Sequence, residues 1–150
     1  MTTREILEAH SALEILSGRG YKSAEASKKI ARMFRWARKH QEAFVEARKL
    51  LIEGHAIKED GKKVPRRERS QETGEWQDVE GTVTFEDQEA FDDEVKKLLD
   101  EENPTNGVQL TDTDFKSCKV KPEPGVYVGL GPLYDWGDDE NKDDEGDDEE

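Results

Sequence analysis

Between residues 23 and 53, apolar, small or part-apolar side chains recur at Ala26, Ile30, Met33, Ala37, His40, Phe44, Ala47 and Leu51. The steps alternate four and three, which is the seam of a helix packed lengthwise on a partner helix. Ser23 is placed to cap the first turn through its hydroxyl. Gly54 is placed to stop the helix in a left-handed conformation. About thirty residues at ~1.5 Å each give a rod of ~45 Å. Such a rod does not persist in water on propensity and needs tertiary packing, with Phe44 expected among its buried residues. The remainder of the chain must supply the cover.

The chain before it supplies part of that cover. Thr2 and Glu5 have the spacing of a capping box. Ile6, Leu7, Ala9, Ala12, Leu13, Ile15 and Leu16 then line one broad helical face, and Gly18 ends it. The short link through Gly18-Arg19-Gly20 folds this first helix back antiparallel on the long one. Asp60-Gly61, flanked by Ile57 and Val64, signals a short hairpin. Residues 65–70, including Arg66-Arg67-Glu68-Arg69, lack periodicity and read as a solvated loop. Trp76, Val79, Val83 and Phe85 mark a weak strand region. Residues 86–102 form a third helix with a stripe of Phe91, Val95, Leu98 and Leu99, and acids crowd its first turn.

From there on, regularity fades. Residues 108–110 alternate as an edge strand does. Residues 119–136 carry many apolar side chains but also Pro122, Pro124, Gly125, Gly129, Gly131 and Pro132, and read as an extended, irregular arm. Tyr127, Leu130, Leu133, Tyr134 and Trp136 are its expected partner contacts, because so many apolar groups left in water would make an interaction patch. The same residues folding back on the chain's own helices is the plain alternative. Residues 137–150 read as a disordered acidic tail. The expected organisation is therefore a helical domain over residues 1–118, the arm over 119–136 and the tail over 137–150. The fold class is mainly α (α+β): an antiparallel helical hairpin, a third helix and minor β strands.

Charge narrows the partners. The net charge is −14, and residues 135–150 hold eleven acids and one base, so the body is only mildly acidic. Bulk charge of this sign does not bind DNA or anionic membrane. The long helix is the exception, with nine bases over residues 22–49, among them Lys28, Arg32, Arg35 and Lys39, and with Phe34 and Trp36 between them. Such a face could bind nucleic acid through phosphates and stacking. Pairing with the nine acids of residues 86–102 is the simpler account, so nucleic acid is not the expected partner. No apolar run approaches the ~20 residues that span a bilayer, and no signal peptide is expected at residues 1–16.

No motif for catalysis, cofactor or metal stands out, and the chain is expected not to be an enzyme. His10, His40 and His55 fall in no ligand spacing. Asn141, Asp143, Glu145 and Gly146 imitate the start of a calcium loop, but its twelfth ligand has no place in the sequence. Gly125, Gly129 and Gly131 precede no Gly-Lys-Ser/Thr. Cys118 is the single cysteine, which excludes an intrachain disulfide. It lies between Lys116 and Lys119, and a structural role is the expectation.

The run 44–51 (Phe-Val-Glu-Ala-Arg-Lys-Leu-Leu), the turn at Gly61 and the run 91–102 (Phe-Asp-Asp-Glu-Val-Lys-Lys-Leu-Leu-Asp-Glu-Glu) resemble a family of small proteins encoded by tailed phages. The resemblance covers about residues 5–110. It implies a short helix, a long helix, a polar turn, a short Phe-x-x-Glu-x-x-x-Leu-Leu helix and a last strand. It carries over no catalytic residues. It points to a non-enzymatic protein acting by protein–protein contact in virion or tail assembly, in the host cytoplasm or the virion, with other phage structural proteins or itself as partner. The alternative is an acidic mimic of nucleic acid that inhibits a host DNA- or RNA-binding protein.

Overall fold

The computed structural model describes residues 1–105 and 107–136. The expected disordered tail lies outside the described residues. The fold is mainly helical with minor antiparallel β structure: α1 (Thr3–Ser17), α2 (Ala24–His55), β1 (Lys58–Glu59), β2 (Lys62–Lys63), β3 (Arg67–Arg69), β4 (Trp76–Asp78), α3 (Gln88–Asp100), α4 (Asp112–Lys116), α5 (Pro124–Leu130) and a closing 3-10 turn (Gly131–Leu133). The chain divides into two compact units. One comprises Met1–Leu7 and Arg38–Asn103, the other Glu8–Ala37 and the described residues from Pro104 to Trp136, so the division crosses both α1 and α2.

Local chemistry sets the helix starts. The Thr2 amide donates to Glu5 Oε2 at 2.8 Å and the Glu5 amide to Thr2 Oγ1 at 3.2 Å, the reciprocal pair of a capping box. The Ala26 amide donates to Ser23 Oγ at 3.2 Å, and the Ala90 amide to Asp87 Oδ1 at 3.1 Å. Each satisfies a donor that has no carbonyl within its own helix.

In the second unit, Ala9, Ala12, Leu13 and Leu16 of α1 are buried, as are Ala26, Ile30, Met33 and Ala37 of α2. His10 stacks on Phe34 with centroids 5.3 Å apart, as two helices folded back on each other allow. Ile15, expected on the buried face, is half exposed. The C-terminal segment completes the core. The stretch expected to be an extended arm holds α5 and the 3-10 turn instead. Pro124 occupies the first helical turn, where its missing N–H leaves no bond unmade. Val126 and Leu130, one turn apart, are buried. Gly129 faces α1 so closely that a Cβ there would lie 3.1 Å from Ala12 Cβ. Small residues on both helices permit that approach.

In the first unit, Met1–Thr3 make β-type pairings with the residues that follow α3. Thr2 and Glu102 form an antiparallel bridge, the Thr3 amide donates to the Glu101 carbonyl at 3.0 Å, and the Asn103 amide donates to the Met1 carbonyl at 2.8 Å. Buried Thr3 accepts from Asn103 Nδ2 at 3.0 Å. Phe91 is buried beneath Phe85, stacked at 4.0 Å. The Asp60-Gly61 hairpin forms as the sequence predicts, with both residues at positive φ (51° and 76°) and Lys58 opposite Lys63.

Two other expectations are corrected here. Gly54 does not end α2, which runs on to His55. The chain leaves the helix instead by pairing Ala56 with Phe85, and the Ile57 amide donates to the Thr84 carbonyl at 2.9 Å. Residues 67–69, expected as solvated loop, pair with β4, Arg67 opposite Asp78 and Arg69 opposite Trp76. Both strands are wholly exposed, so no apolar alternation marks them.

The seam of α2 is buried only as far as Ala37; His40, Phe44, Ala47 and Leu51 are half-buried, which corrects the expectation that Phe44 lies in the core. Leu13→Ala should cost about 2–5 kcal/mol, the range for a fully buried leucine. Phe44→Ala should cost less than the ~3–5 kcal/mol of a buried phenylalanine. Urea midpoints of the two variants decide this, and a larger loss at Phe44 would contradict the burial described.

Candidate interaction surfaces

The second unit carries an ion pair at its base. Asp114, 7% exposed, sits on α4. One oxygen, Oδ2, accepts from Lys29 Nζ at 2.8 Å, from the Thr111 amide at 2.9 Å and from Thr111 Oγ1 at 3.2 Å. Burial alone would push this carboxyl up, but the hydrogen bonds from Lys29 and Thr111 outweigh it and hold it below its usual range. Arg19 adds a fork to Glu123, with Nη2 at 3.0 and 2.8 Å from the two carboxylate oxygens. The backbones of residues 20–22 and 117–119 are tied by Lys22 N–H to Ser117 O at 2.8 Å and Lys119 N–H to Gly20 O at 2.7 Å. These ties hold the C-terminal segment in place.

On that base stands a ladder of rings. Phe115 meets Tyr127 edge-on at 5.1 Å, Tyr127 meets Tyr134 at 5.0 Å, and Tyr134 meets Trp136 at 4.9 Å. Such contacts are favoured by the ring quadrupoles. The polar tips of the last two turn inward: Tyr134 Oη donates to Asp112 Oδ1, and Trp136 Nε1 donates to the Gly131 carbonyl at 3.0 Å. The rings border an open groove of about 1120 Å³ lined by Phe115, Pro122, Tyr127, Val128, Tyr134 and Trp136.

Of the expected contact residues, Trp136 is 59% exposed and Tyr127 is half-buried. Leu130, Leu133 and Tyr134 are buried in their own unit, so they act as core and not as free contacts. Val128, outside the expected set, is 71% exposed on the groove. Its direction follows from α5: Val126 and Leu130 point inward, and the residue midway between them points out.

The expected basic face is present as a surface. Lys28, Arg32, Arg35 and Lys39 are all exposed and recur at helical spacing along one stripe of α2. The ion pairs of α2 include Lys29–Asp114, Arg38–Glu42, Lys49–Glu46 and those of Glu53 with Lys58 and Lys63. None of these joins the helix to the acids of α3, the matching that the sequence suggested. The Cys118 thiol donates to the Val120 carbonyl at 2.8 Å, and His55 packs edge-on against Phe91 at 6.0 Å. Among the described residues, no group of His, Cys, Asp and Glu is arranged to hold a metal ion, and no helix is long and apolar enough to cross a membrane.

The chain matches no protein-family model, no curated protein and no solved structure.

Two titrations test this geometry. Asp114 has a lowered folded pKa, so its stabilisation is full above the ordinary value of ~3.9 and is lost as pH falls through the folded value. Asp114→Asn should cost about 1.5–3 kcal/mol at neutral pH, the range for hydrogen bonds to a charged group. The gap from the parent should shrink in acid; a gap independent of pH would contradict the pairing. Tyr134 is pushed up to about 12, first by its hydrogen bond to Asp112 and then by burial. Its folded pKa is raised, so that contribution is present below the ordinary ~10 and lost as pH rises through about 12. The phenolate absorbance lost in Tyr134→Phe should therefore titrate near 12, and a midpoint near ~10 would show the bond is not held.

Proposed function

We propose that this protein is non-enzymatic and works by protein–protein contact, as a component of phage virion or tail assembly in the host cytoplasm or the virion. The observation that carries the contact reading is the ring-lined groove with Val128 and Trp136 exposed on it. A chain that buries Leu130 and Leu133 nearby yet leaves these two in water holds an apolar surface suited to a partner. Because the Tyr134 hydroxyl and Trp136 indole N–H are already bonded, the rings offer their faces and edges to apolar side chains, with Asp112, Lys116 and Lys121 on the same lining. The phage setting is supported by the resemblance of residues 5–110 to small tailed-phage proteins. A photo-crosslinking amino acid at Val128, introduced during infection, tests both parts. Adducts to virion or tail proteins are expected, with the chain itself found by mass spectrometry of purified particles. Adducts confined to a host DNA- or RNA-binding protein would favour the inhibitory mimic instead. Val128→Asp should abolish the adducts formed from a probe at Trp136 while leaving the melting temperature within a few degrees of the parent, about the effect of a surface change.

A further inference from the structure

The first unit carries a second surface, independent of the ring-lined groove. The seam of α2 continues without change of spacing through His40, Phe44, Ala47 and Leu51, yet these residues are only half-buried, whereas Ala26 to Ala37 on the same seam are fully buried. Beside them Leu50 is 73% exposed. Ala47, Leu50 and Leu51 of α2 and Ala90 and Leu98 of α3 line an open groove of about 1180 Å³. Its α3 side bears four acids, Asp93, Glu94, Asp100 and Glu101, against two bases, Lys96 and Lys97, and is net acidic. One of those bases, Lys97, is already engaged by Glu94 at 2.8 Å.

We infer that this groove takes one amphipathic helix from a partner protein, with an apolar stripe flanked by Lys or Arg. A seam with four-three spacing is the half-interface of helix-on-helix packing, so a helix is the shape that completes it. The acidic α3 side selects basic flanks by charge complementarity. The 13 residues of α3, ~20 Å at ~1.5 Å each, match a partner helix of about four turns. In a second copy the stripe of Lys28, Arg32, Arg35 and Lys39 on α2 backs onto an apolar face already buried at Ala26, Ile30, Met33 and Ala37, and α3 is acidic. The end of its α2, with Arg48 and Lys49 beside Leu50 and Leu51, is the competing occupant that sedimentation tests.

The full-length protein can be titrated into a fluorescein-labelled model peptide of ~18 residues. Its leucines fall at helical spacing with lysines on both flanks. A scrambled peptide of the same composition measures any binding by charge alone, and a third peptide carries glutamates in place of the lysines. The ordered lysine peptide should bind at least tenfold tighter than the scrambled one, and the glutamate peptide should not bind. Leu50→Glu, at an exposed site that the fold does not need, should weaken binding at least tenfold. Asp93→Lys with Glu101→Lys should weaken it several-fold. Equal binding of ordered and scrambled peptides, insensitivity to Leu50→Glu, or no binding at all would each overturn the proposal. So would sedimentation showing a dimer of the parent that Leu50→Glu dissociates, because the occupant would then be a second copy.

Discussion

A 32-residue helix with one apolar seam sets the terms for everything else in this protein. The seam must be covered, and where it is buried, at Ala26, Ile30, Met33 and Ala37, the two large residues stand between small ones at either end. Ala9, Ala12, Ala26 and Ala37 are all buried, and Gly129 brings α5 within van der Waals reach of Ala12. A core of small residues gains less per side chain from burial than one of leucines and phenylalanines. It compensates by letting backbones approach closely, so that the few large residues, Leu13, Leu16, Ile30 and Leu130, are enclosed completely. With apolar residues only 32% of the chain, close packing of small side chains is an economical way to build a dry interior.

Polar groups then fix which segment closes that interior. Among the described residues, Asp114 is a buried carboxylate whose partners are drawn from two separate elements, Lys29 on α2 and Thr111 before α4. Exposed pairs such as Arg38–Glu42 or Lys49–Glu46 contribute little, because water and salt screen them. A buried carboxylate with three donors on one oxygen is different, since any other register of residues 107–136 on α2 would leave it unpaired. The ion pair acts less as net stabilisation than as a choice among arrangements. The aromatic ladder above it depends on that choice, because Phe115 follows Asp114 directly and Tyr134 reaches back to Asp112.

What the sequence disclosed was local. The capping box at Thr2 and Glu5, the cap at Ser23 and the Asp60-Gly61 turn each need only neighbouring residues, and each forms. Misreadings arose where distant pairing overrides local preference. Gly54 stays helical because the chain is redirected two residues later by Phe85, a partner no short window contains. The strand at residues 67–69 exists through its pairing with Trp76–Asp78 and buries nothing, so it has no apolar period to detect. In α5, proline and glycine count as helix breakers by frequency alone. By position, Pro124 is a starter and Gly129 a close-approach site, which only the packing against Ala12 reveals. For the candidate site, composition singled out the segment that borders the groove and could not give its directions. It named Tyr127 and Trp136 at the groove, included the buried Leu130 and Leu133, and left out Val128, because facing requires knowing that residues 124–130 are helical.

Net charge is a poor guide to what such a protein recognises. A formal −14 conceals an exposed basic stripe at Lys28, Arg32, Arg35 and Lys39 and an acidic segment at residues 86–102. Separation of this kind works as selection in both directions. A helix with basic flanks is drawn to the carboxylates beside Leu50 and repelled from the stripe. Lys116 and Lys121, exposed at the ring-lined groove, disfavour it there too. An acidic partner meets the reverse field. The balance differs between the two apolar surfaces: four acids and two lysines at one, Lys116 and Lys121 with Asp112 at the other. Repulsion of the wrong partner contributes as much to specificity as attraction of the right one.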